Sequence, residues 1–401
     1  MNFGLRGEST PFALMTAILL VGSGSAAHAA AYSFQWLGKL SGDNTSYAYA
    51  ISDDGSTVVG ASYTDPNSPT AVIRAFRWTA ATGMVAIGDL PGGNQQSEAL
   101  GVSADGSVIA GSSSSTLSYS HNSFYDEPFR WTASSGMKAL GYLPGTNGRY
   151  GGAGPVSGNG LVIGGSSTGD NGTKPFLWSA ATGMVDIDTL GHGQGNQDAV
   201  FEINYDGSMA VGMTTYDNDR RAFLWTAGSG MQLLGALPGT PSNRLESWAE
   251  DLSANGSVVV GQAYSATSIV PFRWTASGGM APLPMLPGAA LGNAFGVSAD
   301  GSIIVGYNIL GSTDHALRWD PILGPQSIED ILRAHGFSSV LNGNMLTKAI
   351  GISADGQTIM GWGYGPSGIQ SWVATIPVPE PSTIVLAFLG GVIVFGSCRP
   401  K

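Results

Sequence analysis

The sequence predicts an all-β fold, a seven-bladed β-propeller, on three observations. Two short phrases recur along the chain, the composition is rich in turn and strand formers, and the two ends of the repeat array complete each other. Self-similarity at a period of about 45 to 55 residues marks a repeat architecture. The first phrase is WTAATGM, from Trp78 to Met84. It returns from Trp131, Trp178, Trp225 and Trp274, each with Met six positions on, and in degenerate form at 319–325. Trp372 is assigned the same place in the last unit. The second phrase is an aliphatic residue, usually Ser, a variable residue, Asp or Asn with Gly, then an aliphatic run closing on Gly. It occurs seven times, at 51–60, 102–111, 156–165, 203–212, 252–261, 297–306 and 352–361.

Each unit reads as four short strands, illustrated by 97–103, 107–111, 128–132 and 137–143. Asp105-Gly106 makes a tight turn between the first two, because Asp and Gly tolerate the positive φ such turns need. The third and fifth positions of the first strand are small (Ala48 and Ala50, Ala99 and Gly101, Ala294 and Gly296), with larger flanking residues. Alternation of period two suits inner strands that crowd around an axis. The array opens at 34–40 with a fourth strand lacking its three predecessors and ends at 369–375 with a third strand lacking a fourth. Pairing these two pieces would leave no open edge. In the last unit, 327–337 reads as a short rim helix. Ser327 is its N-cap, Ile328, Ile331 and Leu332 share one face, and Gly336 is the stop.

Composition narrows the function classes. The chain has 401 residues, 60 Gly, 10 Trp, only 11% charged residues and a formal net charge of −11. An acidic body repels phosphate backbones, which argues against nucleic acid as a partner. Cys398 is the sole cysteine, so apolar burial and not a disulfide must hold the domain.

The ends read as address labels around a domain at 32–376. Residues 1–31 have the form of a secretory signal peptide. Arg6 precedes an apolar run at 11–21, and small-x-small cleavage patterns stand at 27–29 and 29–31. In the tail, 377–401, Pro381 to Cys398 is 18 residues without a charge, long enough for a single transmembrane helix across a thin bilayer. Arg399 and Lys401 follow it, on the side that the positive-inside rule keeps cytoplasmic.

Pro379-Glu380-Pro381, an apolar span and terminal bases together resemble the PEP-CTERM sorting signal of Gram-negative bacteria. That resemblance implies processing by an exosortase, an inner-membrane-anchored intermediate, and a final place at the cell surface or in the extracellular matrix. The middle of the chain resembles the extracellular HAF-repeat family, named for a His-Ala-Phe before the repeated Trp. The matching stretches are 74–78, 127–129, 174–176, 221–223, 270–272 and 315–317, with the His itself only at His315. This resemblance implies location and no particular chemistry.

A search for chemistry yields no catalytic residue, no cofactor and no metal site. His121, His192, His315 and His335 lack ligand spacing, and there is no C-x-x-C, P-loop or nucleophile elbow. Asp54, Asp105, Asp206, Asp300 and Asp355 read as turn residues, since Asn159 and Asn255 replace them without disturbing the repeat. Asp217-Asn218-Asp219 lacks the remainder of a calcium loop. The repeated Trp residues read as core between units.

The unrepeated loops are the binding candidates: 113–127 with Tyr119, Phe124 and Tyr125, and 144–152 with Arg149 and Tyr150. The chain is thus expected to be a non-enzymatic exported envelope or matrix protein that presents a surface to polysaccharide or envelope proteins. Two alternatives stand beside this. One is a secreted hydrolase or lyase acting on polysaccharide, with Glu98, Glu202, Glu250 or Asp251 near the axis. The other is a purely structural matrix component.

Overall fold

The computed structural model describes residues 31–68, 70–117, 126–145, 150–169, 172–191 and 198–378. The expected signal peptide up to residue 30, and the expected sorting tail from Pro379 on, including Pro379, Glu380, Pro381, Arg399 and Lys401, lie outside them. No helix among the described residues is long and apolar enough to cross a membrane.

The described chain is all-β apart from one short helical segment. Units 3 to 6 of the sequence repeat each form a separate four-stranded sheet with strands in chain order. Units 1 and 2 do the same and touch through one parallel bridge, Ile73 with Gln96. The last sheet holds Met345–Ile352, Thr358–Gly365 and Gly368–Thr375, and its fourth strand is the N-terminal Ser33–Gly38. The two lie antiparallel, with Phe34 opposite Ala374 and Trp36 opposite Trp372, as the incomplete ends predict.

The second phrase explains itself at atomic scale. Its Ser is buried and accepts a hydrogen bond from the N–H five residues on. Examples are Val108 N to Ser103 Oγ (3.0 Å) and Ile303 N to Ser298 Oγ (3.0 Å). The same hydroxyl donates to the turn carboxylate or amide, as from Ser103 to Asp105 Oδ1 (2.8 Å) and from Ser157 to Asn159 Oδ1 (2.8 Å). The Gly that follows has φ between +68° and +80° in all seven turns. The Asp set is therefore the knot of a hairpin turn. Hydrogen bonds hold Asp54, Asp105, Asp206 and Asp300 below the usual carboxylate range.

Simple alternation does not describe the first strand. A register shift falls at the same place in every one, between Ala48 and Ala50, Ala99 and Gly101, Val200 and Glu202, Ala249 and Asp251, and their equivalents. This β-bulge turns a carbonyl toward the second strand. A Cβ on Gly111 would sit 1.9 Å from Glu98 O and 2.9 Å from the Phe129 ring; the other glycines at that place are equally confined. The closing Gly of the phrase is thus required by the bulge. The Phe beside it (Phe76, Phe129, Phe176, Phe223, Phe272) is fully buried, and each contributes roughly 1.5–3 kcal/mol of burial.

Two expectations need correction. Trp372 does not occupy the place of the repeated Trp. It pairs with Gly361, as Phe76 pairs with Gly60, so it fills the Phe position, and Ala374 stands where the others carry Trp. A larger ring at one position is balanced by a smaller residue two places on. The fourth strand is also shorter than 137–143; it spans Gly136–Ala139. After it, Leu140 N is drawn to Pro128 O (2.8 Å), and Leu143 dives into the core with its N–H on Ser167 Oγ of the next unit (3.1 Å).

Seven apolar clusters each join successive units, and one of them joins the last unit to the first through Leu37, Val58, Phe76 and Met360. The helix Ile328–Leu332 forms where predicted. Ser327 Oγ accepts from Asp330 N (3.2 Å), and Ile328 and Leu332 are buried against the last unit. Gly336 at φ +95° breaks the helical backbone.

Two outcomes test this account. Deleting 32–41 should lower the melting temperature by at least about 10 °C, because it removes a paired strand and uncovers Trp372; an unchanged melt would mean that the N-terminal strand is dispensable. Gly111→Ala should cost about 2–4 kcal/mol, whereas Gly228→Ala, with nothing within 4 Å, should cost well under 1 kcal/mol; denaturant unfolding reads both.

Candidate functional site

Inner strands run from the end of the axis that carries the variable loops to the end that carries the Asp-Gly turns. The variable connections between second and third strands, and between one unit and the next, therefore gather on one face. Short repeated turns occupy the other face. Of the predicted loop residues, Tyr119, Phe124, Tyr125 and Arg149 lie outside the described residues. Tyr150 is half-buried, and its backbone is held by Thr168 (Tyr150 N to Oγ1, 2.9 Å). The flanks of the two loops meet: Gly151 N donates to Asp126 O at 3.2 Å.

The same end of the axis carries an aromatic cluster that sequence reasoning missed. Tyr47 meets Tyr63 and Trp362 edge-on, at 5.5 and 5.3 Å. Lys348 lies over Tyr307 (4.5 Å) and Trp362 (5.1 Å) and pairs with Asp314 (3.4 Å). Phe295 stacks on Tyr307 at 5.6 Å. Tyr63 hydrogen bonds to Tyr49 (3.1 Å) and donates to Glu98. The available signal was variation at a repeated place: Tyr47, Glu98, Trp248, Asn293 and Lys348 occupy one position of the inner strand in different units.

Below this cluster the inner strands enclose a cavity of about 350 Å³. Glu202, Glu250 and Asp251 line it, joined by Asp53, and no Lys, Arg or His is among its lining residues. Glu98 is not part of it. Glu202 and Asp251 stand just past the bulge, where Ala50, Gly101, Pro155, Gly296 and Gly351 keep the other units small. Both carboxylates cap backbone donors. Glu202 Oε1 accepts from Ile203 N (2.9 Å), while Asp251 accepts from Leu252 N (2.6 Å) and Val297 N (2.7 Å). Asn293 Nδ2 donates to Glu250 Oε1 at 3.0 Å.

Burial without a countercharge shapes their titration. Burial first, then the neighbouring Asp251, pushes the Glu202 carboxyl well above its usual range. Burial, with repulsion from Asp53 and Glu250, pushes Asp251 up to about 7. Glu250 and Glu98 are also raised by burial. Backbone bonds link the turns around the cavity floor. Ala104 N donates to Gly158 O (3.0 Å), Asn159 N to Tyr205 O (3.0 Å), and Ala354 N to Asp53 O (2.9 Å). Among the described residues, the step from Tyr205 to Ala254 has no such bond, and it lies between the two units that carry Glu202 and Asp251.

Other candidates resolve into structure. Asp217 and Asn218 have φ of +50° and +65° and form the tight turn between Met209–Tyr216 and Asp219–Thr226. His315 lies in a strand opposite Asn308, and His335 stacks on Tyr32 at 3.6 Å. No group of three His, Cys, Asp or Glu among the described residues converges closely enough to hold a metal.

The raised carboxyls set a pH dependence. Their protonated forms are favoured by folding, so the stability they contribute is complete below about pH 4 and is lost as pH rises toward 7. Glu202→Gln keeps the acceptor for Ile203 N and removes the charge. It should raise the melting temperature at pH 8 by about 3–6 °C and change it little at pH 5; equal shifts at both pH values would contradict the assignment.

No family model matches the chain, and no curated protein matches it. Solved structures are similar in fold. An oligogalacturonate lyase from Vibrio parahaemolyticus aligns with a TM-score of 0.53 at 11% identity, over 87% of this chain and 98% of that one. The Dos1 propeller aligns at 0.44 and 13% identity, over 80% and 76%. TolB from Acinetobacter baumannii aligns at 0.46 and 11% identity, over 67% of this chain; the match spans only 62% of that TolB. At such identities the likeness is one of architecture: the chain has a β-propeller fold.

Proposed function

We propose that this chain is an exported, non-enzymatic seven-bladed propeller whose loop-bearing face binds an extracellular polysaccharide or an envelope protein. The observation that carries the reading is the junction of the two long unrepeated loops, Gly151 N to Asp126 O, on the same end of the axis as the Tyr47–Trp362–Tyr307 cluster. Aromatic faces and fixed polar groups on variable loops are the usual means by which a rigid scaffold acquires a ligand. The seven interlocking clusters and the N-terminal strand beside Gly368–Thr375 support the blade count. In this reading the signal peptide exports the body. The 381–398 span holds it in the inner membrane until an exosortase acts near Pro379-Glu380-Pro381, which frees it for the surface or matrix of a Gram-negative cell.

The raised Glu202 and Asp251 carboxyls favour a second reading, a glycan hydrolase that uses a protonated carboxyl as general acid near neutral pH. A cavity whose only charged lining residues are acids, however, is poorly matched to an anionic uronate substrate, which would need a countercharge. The lyase likeness therefore stays one of fold.

Glycan-array and pull-down experiments on the full chain should identify a ligand whose affinity falls at least about tenfold in Tyr150→Ala plus Trp362→Ala, with no new reducing or unsaturated ends. Turnover of a glycan abolished by Glu202→Gln would establish the second reading instead. Mass spectrometry of the extracellular protein should find no peptide containing Cys398; an intact tail there would refute the sorting proposal.

A further inference from the structure

The C-terminal end of the body leaves on the face that carries the Asp-Gly turns. Thr375 stands opposite Ser33, and Ile376 N donates to Gln357 O (2.8 Å) beside the Asp355-Gly356 turn. Val378 packs against the apolar cluster of the last unit, so the chain is held in place up to that residue. The uncharged run at 381–398 starts three residues later, and three residues extend at most about 10 Å. The headgroup layer on each side of a bilayer is about 5–7 Å thick. A body anchored by that run therefore rests with this face at the headgroups. We propose that the turn Pro321-Ile322-Leu323 inserts into the bilayer surface and seats the body on that edge. The inference rests on the anchored intermediate described under the proposed function.

The turn departs from the repeat. Units 1 to 6 each join their third and fourth strands by a short turn that ends on Gly. In the first five, the two residues before that Gly are drawn from Ala, Gly, Ser and Thr. In the sixth they are Ile322 and Leu323, 64% and 60% exposed, so core packing does not account for them. Ile304 stands opposite Trp319, which puts the turn at the same end as Asp300-Gly301. It also lies beside the exit of the chain, since Arg318 Nη1 donates to Pro377 O at 3.5 Å. The local charges are turned inward: Asp320 is buried, accepts from Ile322 N (2.8 Å) and Leu323 N (3.1 Å), and pairs with Arg318 (3.4 Å). An exposed apolar tip without outward charge suits the boundary between headgroups and acyl chains. Elsewhere this face exposes Asp54, Asp105, Asp206 and Asp300. Those carboxylates oppose flat contact with a leaflet containing anionic lipid, which confines the contact to the edge. The tip is too small for a stable protein interface, which buries roughly 1,200–2,000 Å². A tethered body needs only a weak contact, because the tether keeps the surface close.

The full chain, in a Cys398→Ser background and reconstituted into vesicles of phosphatidylethanolamine and phosphatidylglycerol, tests the inference. A polarity-sensitive fluorophore is attached at Ile322→Cys or at Ser134→Cys, the same place in the turn of unit 2. The chain should float with the vesicles, and brominated lipid should quench the first probe at least about twofold more than the second. Adding Leu323→Asp to Ile322→Cys should abolish the difference while the melting temperature stays unchanged, as an exposed site allows. Equal quenching at both positions in a chain that floats would overturn the proposal and leave the anchored intermediate standing. A difference that survives Leu323→Asp would overturn it too, because the tether alone would then account for the proximity. A chain that does not float would refute the anchored intermediate and the seated edge together.

Discussion

The rest of the structure depends on a close approach between two backbones in each unit. The bulge in the inner strand pushes a carbonyl to within 2 Å of where a Cβ on the second strand would lie, so that position must be Gly. The gap left by the missing side chain lies beside a fully buried apolar side chain, Phe in five units, Leu317 in the sixth and Trp372 in the last. Bulge, glycine and buried side chain form one steric device, repeated around an axis. The bulge also brings the residue after it to the narrow part of the axis, which is why that residue is small in five units. Two units break the rule with carboxylates, and those two define the chemistry of the cavity.

Much of the fold was legible because each constraint is local and recurs. The Ser-x-Asp-Gly knot reads directly as a hairpin, since its hydrogen bonds close within five residues. The pairing of Ser33–Gly38 with Gly368–Thr375 was legible for another reason: two incomplete units imply each other. What the sequence concealed was register. A one-residue bulge does not alter the apparent alternation of small and large residues, so Ala48 and Ala50 looked like equivalent small positions. Only the pairing shows that one is sealed against the second strand and the other faces the axis. The Trp372 assignment failed on register too, by two residues, because the ring was matched by type and not by its opposing Gly361.

The candidate site was partly legible. Glu202, Glu250 and Asp251, named in the enzyme alternative as near the axis, do line the axial cavity. Glu98 was grouped with them, yet it bonds to Tyr63 and does not line the cavity. Its position precedes the bulge, and the bulge separates the two neighbourhoods. Asp53 went unnamed; it stands one residue before the turn carboxylate Asp54 and lines the cavity. The aromatic cluster could not be read from local sequence. Tyr47, Trp362 and Tyr307 come from three units and meet only when the first unit packs against the last.

The distribution of charge connects these observations. In the turns, a carboxylate receives donors from its own hairpin and stays ionised, so Asp54 and Asp105 contribute to the scaffold without demanding a partner. On the axis the carboxylates receive only one or two backbone donors each and repel one another, so part of their charge is left uncompensated. A repeat that places Ala or Gly at this position in four units and Pro155 in a fifth instead carries acids in two adjacent ones. Such a departure lowers stability at neutral pH, and the few backbone donors that these acids accept leave their burial only partly offset. The asymmetry coincides with the one step at which the turns are not bonded to each other, so the costliest charges sit where the floor of the cavity is least constrained. Repeated residues build the scaffold, and the residues that break the repeat give the axis its charge.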